Sequence, residues 1–196
     1  MIVIGVTGSF GTGKSFVAAI LKSFGAKVID ADAIAHDVIK KGTPAYRKIV
    51  SEFGCSISVD GKEINRRRLA SCVFGNKARI AKLNNIVHPE VIRVIKSRIR
   101  TAGKDAVVVI DAPLLIEARL LNIVDKVVVV SCSKKRQIER CIKKFRVTRQ
   151  EVLKRIRSQM SMKRKLKMAD FVVQNDLTRS RTRLQARRVW EEVVWR

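Results

Sequence analysis

Gly8, Gly13, Lys14 and Ser15 occupy the fixed positions of the pattern G-x-x-x-x-G-K-[ST], in the stretch Gly8-Ser-Phe-Gly-Thr-Gly-Lys-Ser15. These residue types suit the holding of phosphate. Glycines at 8, 11 and 13 let successive backbone N–H groups curl toward one point, with Thr12 between them, and a helix starting at Lys14 aims its positive end there. Lys14 adds a mobile point charge for the β- and γ-phosphates, and the Ser15 hydroxyl can ligate Mg²⁺. The pattern is short, so its surroundings matter. An apolar run over residues 1–6 precedes it and Phe16-Val-Ala-Ala-Ile-Leu21 follows, which reads as strand, turn and helix.

The next question is where a terminal phosphoryl group would go. A guanine-reading N-K-x-D is missing, since Asn76-Lys-Ala-Arg79 lacks the aspartate. Motor ATPases place an acidic pair after a buried strand, whereas Ile110-Asp-Ala-Pro113 has one carboxylate and then a proline. A second strand ends in Val28-Ile-Asp-Ala-Asp32, at the sheet edge where α/β proteins bind ligands. A carboxylate there can take the proton of an acceptor hydroxyl, or it can cap the following helix. Asp111 likewise has two readings: it holds a nearby backbone group or lysine, or it reaches a metal-bound water.

The elements that must position these groups are legible as short β-branched runs at residues 2–6, 27–29, 106–110, 126–130 and 171–173, separated by helical periodicity. This alternation predicts a three-layer α/β/α fold around a parallel five-stranded sheet. Thr43-Pro44 and Gly54 bracket one helix, Thr148-Arg-Gln-Glu151 has capping-box spacing, and Gly25 and Gly103 read as helix stops. The roughly 75 residues between the second and third strands far exceed a normal crossover and read as an inserted helical subdomain, residues 33–102. His88-Pro89 inside it reads as the end of one helix and the start of the next. A terminal helix is expected over residues 178–195, docked through Leu184, Val189, Trp190, Val193 and Val194.

With 46% apolar and 30% charged residues the chain has an ordinary globular composition. No apolar run approaches the roughly 20 residues of a bilayer span, and the first lacks the basic flank of a signal peptide. A soluble cytoplasmic protein is expected. Cys55, Cys72, Cys132 and Cys141 show no metal or redox spacing and read as reduced thiols. The formal net charge of +25 favours anionic partners, either nucleic acid or a polyphosphorylated small molecule. Fifteen basic and two acidic side chains fall in residues 133–167, read mainly as a solvated helical face. Aromatics are 5% and form no RNA-reading motif, so no specific nucleic acid is expected.

Nearly the whole chain resembles dephospho-CoA kinase. The likeness runs through Thr7-Gly8 with Gly11-Thr-Gly-Lys-Ser15, Val28-Ile-Asp-Ala-Asp32, Arg66 and Leu69, and Val87-His-Pro-Glu90. It continues through Asp111-Ala-Pro-Leu-Leu-Ile-Glu117, Arg140, Gln159, and Ala169-Asp170 with Asn175. The resemblance implies a monomeric P-loop kinase that uses ATP and Mg²⁺ to phosphorylate the ribose 3′-hydroxyl of dephospho-CoA. It implies a nucleotide core (residues 1–32, 103–132 and 168–196), a helical acceptor subdomain (33–102) and a basic lid (133–167). It implies Lys14, Asp32 and Arg140 as catalytic, Asp32 being the base and Arg140 coming from the lid. Gly8, Gly11, Thr12, Gly13, Lys14, Ser15, Phe16 and Asn175 would hold ATP, with Asn175 near the adenine. Asp32, Arg66, His88 and Leu114 would hold the acceptor, and Ser15, with Asp111 through water, the metal. The chain departs from the family at Ser9-Phe10, Phe16 and Lys144-Phe145. A nucleoside monophosphate kinase or a nucleic-acid-binding ATPase are the alternatives.

Overall fold

The computed structural model describes residues 1–59 and 63–194. In chain order the elements begin with β1 (Ile2–Gly8), α1 (Lys14–Ser23), β2 (Lys27–Asp30), α2 (Ala31–Asp37) and α3 (Pro44–Phe53). Two short strands, β3 (Ser58–Val59) and β4 (Glu63–Ile64), precede α4 (Arg66–Val73) and α5 (Lys77–Arg100). Then come β5 (Val107–Asp111), β6 (Lys126–Ser131), α6 (Lys134–Phe145), α7 (Arg149–Arg157), α8 (Met162–Leu166), β7 (Phe171–Gln174) and α9 (Arg179–Val194). The chain divides into two compact units, Met1–Asp30 with Ile99–Arg196, and Ala31–Arg98.

The first unit is built on a five-stranded parallel sheet in the order β2-β5-β1-β6-β7. Val107-Val-Val-Ile110 and Val127-Val-Val-Val130 flank β1, and their continuous apolar runs suit strands covered on both faces. Val108, Val109 and Ile110 are buried, as are Val128, Val129 and Val130. One core layer joins Ile4, Val6 and Val130 to Val17, Ile20 and Leu21 of α1 and to Ala186, Val189 and Val193 of α9. Burial at intervals of three and four residues gives each helix one apolar face. Leu184 and Val194, expected to dock, are 52% and 38% exposed, because their positions turn them off that face. Trp195, the expected end of α9, lies outside the described residues.

In the second unit Thr43 accepts the Tyr46 N–H and Pro44 opens α3, while Gly54, at φ 84°, ends it. Asn65 caps α4 by accepting from the N–H groups of Arg67 and Arg68. Ile49, Ile57, Leu69 and Val73 form the core, with Leu83, Ile86 and Val87 of α5 against it. The helix break expected at His88-Pro89 is absent: α5 runs from Lys77 to Arg100 with Pro89 inside. Proline costs about 3 kcal/mol in a helix interior. Buried Val91 and Ile95 after it, and partly buried Leu83, Ile86 and Val87 before it, offset that cost. The antiparallel β3–β4 pair was not legible among the helical signals around it, since each strand has only two residues. No helix of the described residues is long and apolar enough to cross a membrane.

Candidate active site

β1 delivers the chain to the phosphate loop at the C-terminal edge of the sheet. Gly11 and Gly13 there adopt φ of 83° and 90°, the left-handed region that glycine enters without steric cost. Space demands glycine as well. A Cβ on Gly8 would stand 2.6 Å from Thr12 Oγ1 and from the Val130 carbonyl oxygen, and one on Gly13 would stand 2.0 Å from Asn175 Nδ2. Thr12 is buried and donates its hydroxyl to the Ser9 carbonyl. The loop is therefore a fixed concavity rather than a flexible tether.

Lys14 opens α1, and its ammonium donates to the Asp111 carboxylate at the end of β5. Sheet register explains the pairing, since Val6 of β1 lies opposite Asp111 in the neighbouring strand. Of the two readings of Asp111, the structure shows the lysine partner. Ser15 is exposed in the first turn of α1, with its hydroxyl available as an oxygen ligand. No group of three or more His, Cys, Asp or Glu residues that could hold a metal ion occurs among the described residues. A Mg²⁺ carried by substrate phosphates needs no such cage, and one hydroxyl beside the phosphates is compatible with it.

Arg140 projects from α6, with Nη1 3.8 Å from the point a Gly13 Cβ would occupy. That nitrogen is buried and has no hydrogen-bond partner. A buried unsatisfied donor costs about 1–3 kcal/mol, and a cationic one more. A buried guanidinium N–H beside a concave row of backbone donors fits an anion with several oxygens, as a nucleotide's phosphates have.

Asn175, expected to help hold ATP, makes its hydrogen bonds to the phosphate loop and to α9. It is buried, gives Nδ2 to the Thr12 carbonyl at 2.9 Å and accepts the Thr182 hydroxyl at 3.0 Å. It braces the phosphate loop from the protein side. Phe16 packs against the sheet core, and the Arg179 guanidinium sits 5.8 Å from its ring centre. Leu114, just beyond Asp111, is 41% exposed.

The second unit carries the other expected site residues. Asp32 is the exposed second residue of α2, immediately after the β2 edge. Arg66 is exposed at the start of α4, and His88 lies half-buried in α5, where burial pulls its pKa below the usual histidine value. His36 is exposed in the last turn of α2.

The burial of Lys165 and the contacts of Gln159 have no signal in the sequence. Lys165 has no exposed surface; it donates to the Pro113 carbonyl at 2.6 Å and pairs with Glu117 at 3.0 Å. Burial lowers its pKa, partly offset by Glu117. Thr7 donates to the same Pro113 carbonyl, so this lysine helps fix the segment after Asp111 beside β1. Gln159 accepts the Phe10 N–H and the Ser9 hydroxyl, tying the phosphate loop to the start of the α7–α8 connection. Cys72, Cys132 and Cys141 are free thiols, as expected, and burial pushes Cys132 up to about 11.

A parallel sheet with β1 at its centre, a glycine loop leading into a helix, and a lysine and arginine at that loop define a P-loop kinase. The chain belongs to the dephospho-CoA kinase family: a family model described as Dephospho-CoA kinase matches residues 2–180. A Dephospho-CoA kinase of Carboxydothermus hydrogenoformans is 37% identical over 196 residues, covering 99% of this chain and 95% of the relative. One of Bacillus cereus is 41% identical over 189 residues, covering 94% of each. A crystal structure from Thermus thermophilus superposes with a TM-score of 0.86 at 31% identity, covering 98% of this chain and 97% of its own.

Proposed function

We propose that this protein transfers the γ-phosphoryl group of ATP to the ribose 3′-hydroxyl of dephospho-CoA, giving coenzyme A and ADP. The observation that carries the nucleotide half is the unpaired, buried Arg140 Nη1 beside the glycine cradle. The acceptor follows from family membership and from the Asp32 carboxylate, in the first turn of α2 just past the end of β2. The loop N–H groups hold the phosphates, Lys14 neutralises charge on the transferring group, and Arg140 closes the cradle from α6. In the reaction the 3′-oxygen forms its bond to the γ-phosphorus, the bond from that phosphorus to the β–γ bridging oxygen breaks, and Asp32 takes the hydroxyl proton. Lys14 must exchange its Asp111 partner, wholly or in part, for phosphate. Asp111 then guides the lysine and would accept from a water on the metal when one is bound.

Mg²⁺ supplies charge neutralisation across the phosphates when bound, with Ser15 as its protein ligand. Family membership supports assigning Arg66, His88 and Leu114 to acceptor binding and α6 to α8 to the lid. The protein acts in the cytoplasm as a monomer. Incubation with ATP, Mg²⁺ and dephospho-CoA, followed by product separation, should give coenzyme A and ADP in equal amounts. Phosphorylation of nucleoside monophosphates but not dephospho-CoA would overturn the acceptor assignment. Turnover stimulated by nucleic acid without any small-molecule acceptor would overturn the kinase reading.

A further inference from the structure

Phe10, at the tip of the phosphate loop, is held through every group it has. Its N–H donates to Gln159 Oε1 at 2.8 Å, and its carbonyl accepts from Gln137 Nε2. Its ring stacks on Phe145, with centroids 5.0 Å apart and planes inclined by 26°. The Arg155 guanidinium lies 5.2 Å from the same ring centre. Beneath these contacts Phe10 completes a small apolar cluster of Ile138, Cys141 and Val152. None of these partners belongs to the sheet. All come from α6, α7 and the connection after α7, and α6 is also the helix that carries Arg140.

The arrangement has a mechanical consequence. Ser9 and Gly11, on either side of Phe10, belong to the loop whose backbone donors face the phosphates, while Arg140 faces the same concavity from α6. The Phe10 ring against Phe145 and Arg155, beside the Gln137 and Gln159 hydrogen bonds, therefore registers the loop donors against the arginine. At the same joint Arg146 takes a left-handed conformation, φ 51° and ψ 41°, which non-glycine residues adopt at a cost. The next turn is fixed by the Thr148–Glu151 capping box. The two helices that grip Phe10 thus meet at a defined angle.

We propose that Phe10 and Phe145 form an aromatic clasp that positions Arg140 over the phosphate loop and so sets the affinity for the nucleotide. Phe10 is a positioning residue acting through Arg140 and the loop backbone. Removing the ring lets α6 and the loop drift apart before nucleotide arrives. Binding must then restore the alignment, and the affinity falls by the fraction of molecules already aligned. The clasp is made by residues of the phosphate loop, α6 and α7.

The proposal rests on the nucleotide site described above, and titration of ADP with Mg²⁺ separates the two. A wild-type protein that fails to bind ADP overturns the site itself. Given binding, Phe10→Ala should weaken ADP and raise KM for ATP about three- to tenfold, the scale of an aromatic pair with a cation–π contact. Turnover at saturation and KM for the acceptor should stay within about twofold, and Phe10→Tyr should restore the affinity. Phe145→Ala should reproduce part of the loss and add little in the double variant, because either change opens the same clasp. Unchanged ADP affinity in Phe10→Ala, full additivity with Phe145→Ala, or an equal fall in kcat and both affinities overturns the clasp. Should Phe10→Ala fail to fold, Phe145→Ala and Arg155→Met carry the test from exposed positions. Wild-type affinity in both then overturns it.

Discussion

The ammonium of Lys14, first residue of α1, donates to the carboxylate of Asp111, last residue of β5. Both side chains are largely buried, 12% and 8% exposed, so the pair is part of the fold as well as of the site. Losing one partner strands a buried charge, which costs about 3 kcal/mol. Lys14→Ala should therefore lower phosphoryl transfer at least 100-fold, on the scale of about 10²–10³ for lost electrostatic stabilisation. It should also lower Tm by roughly 6–12 °C. Lys14→Ala with Asp111→Ala should recover most of the stability and none of the activity. Calorimetry and product analysis on the three proteins decide this. An unaltered Tm in the single variant would show that the pair does not form in solution, and near-normal turnover would remove the loop from the chemistry.

One substitution at Asp32 separates a base from an acid that only favours the first turn of α2. Asp32 lies inside the first turn of α2, where Asn keeps the size and polarity and gives up only a helix-dipole charge worth about 0.3–1 kcal/mol, so Asp32→Asn should keep the fold and ATP binding. It cannot take the acceptor proton, and turnover should fall at least tenfold, within the range of about 10–10⁴ spanned by a loose transition state and a full general-base loss. Full activity in Asp32→Asn with a dead Asp30→Asn would move the base two residues back along the chain.

Arg140 carries an unusual signature, because its Nη1 is buried without a hydrogen-bond partner among the described residues. Arg140→Ala should leave the ligand-free Tm unchanged or slightly raised, since a costly unsatisfied donor is removed. The rise in Tm produced by saturating ADP should shrink at the same time. A large loss of ligand-free stability with an intact ADP response would mean the guanidinium serves packing alone.

His88 gives a pH dependence whose sign follows from its burial. The folded pKa lies below the ordinary value of about 6.5, so near and below that pH the unfolded chain binds more protons. Stability contributed at this position is present above about pH 6.5 and is lost as the pH falls toward the lowered folded pKa. Between pH 7.5 and 5.5 the Tm of wild type should drop more than that of His88→Asn. Equal drops would place the pH response elsewhere.

The net charge of +25 acts before chemistry. ATP and the proposed acceptor are both polyanions, and their attraction is screened beyond a Debye length of about 8 Å at physiological salt. As ionic strength rises, kcat/KM should fall while kcat stays nearly constant. A parallel fall in both would indicate a structural effect of salt rather than slower capture.

The sequence by itself determined the sheet and the loop, because both rest on local patterns. Runs such as Val127-Val-Val-Val130 can only be central strands, and the glycine spacing before Lys14 leaves the backbone few alternatives. Strand ends fell within one or two residues of the expected ones, and Thr43, Gly54 and Thr148 marked helix boundaries as their cap chemistry requires. The tertiary structure decided what depends on distant partners. Pro89 reads locally as a break, yet packing along α5 outweighs the lost hydrogen bond. Lys165 sits in Lys163-Arg-Lys-Leu-Lys167, where composition makes each basic residue equivalent; only Pro113 and Glu117, about 50 residues away, single out the one that is buried. Phe10 and Phe145 lie in separate segments with no shared pattern, and a stacking contact has no local signature in sequence. Asn175 turned out to brace the loop because its amide meets Thr12 and Thr182 across the fold. Local chemistry fixes which residues can hold phosphate; the global packing fixes which neighbours hold those residues.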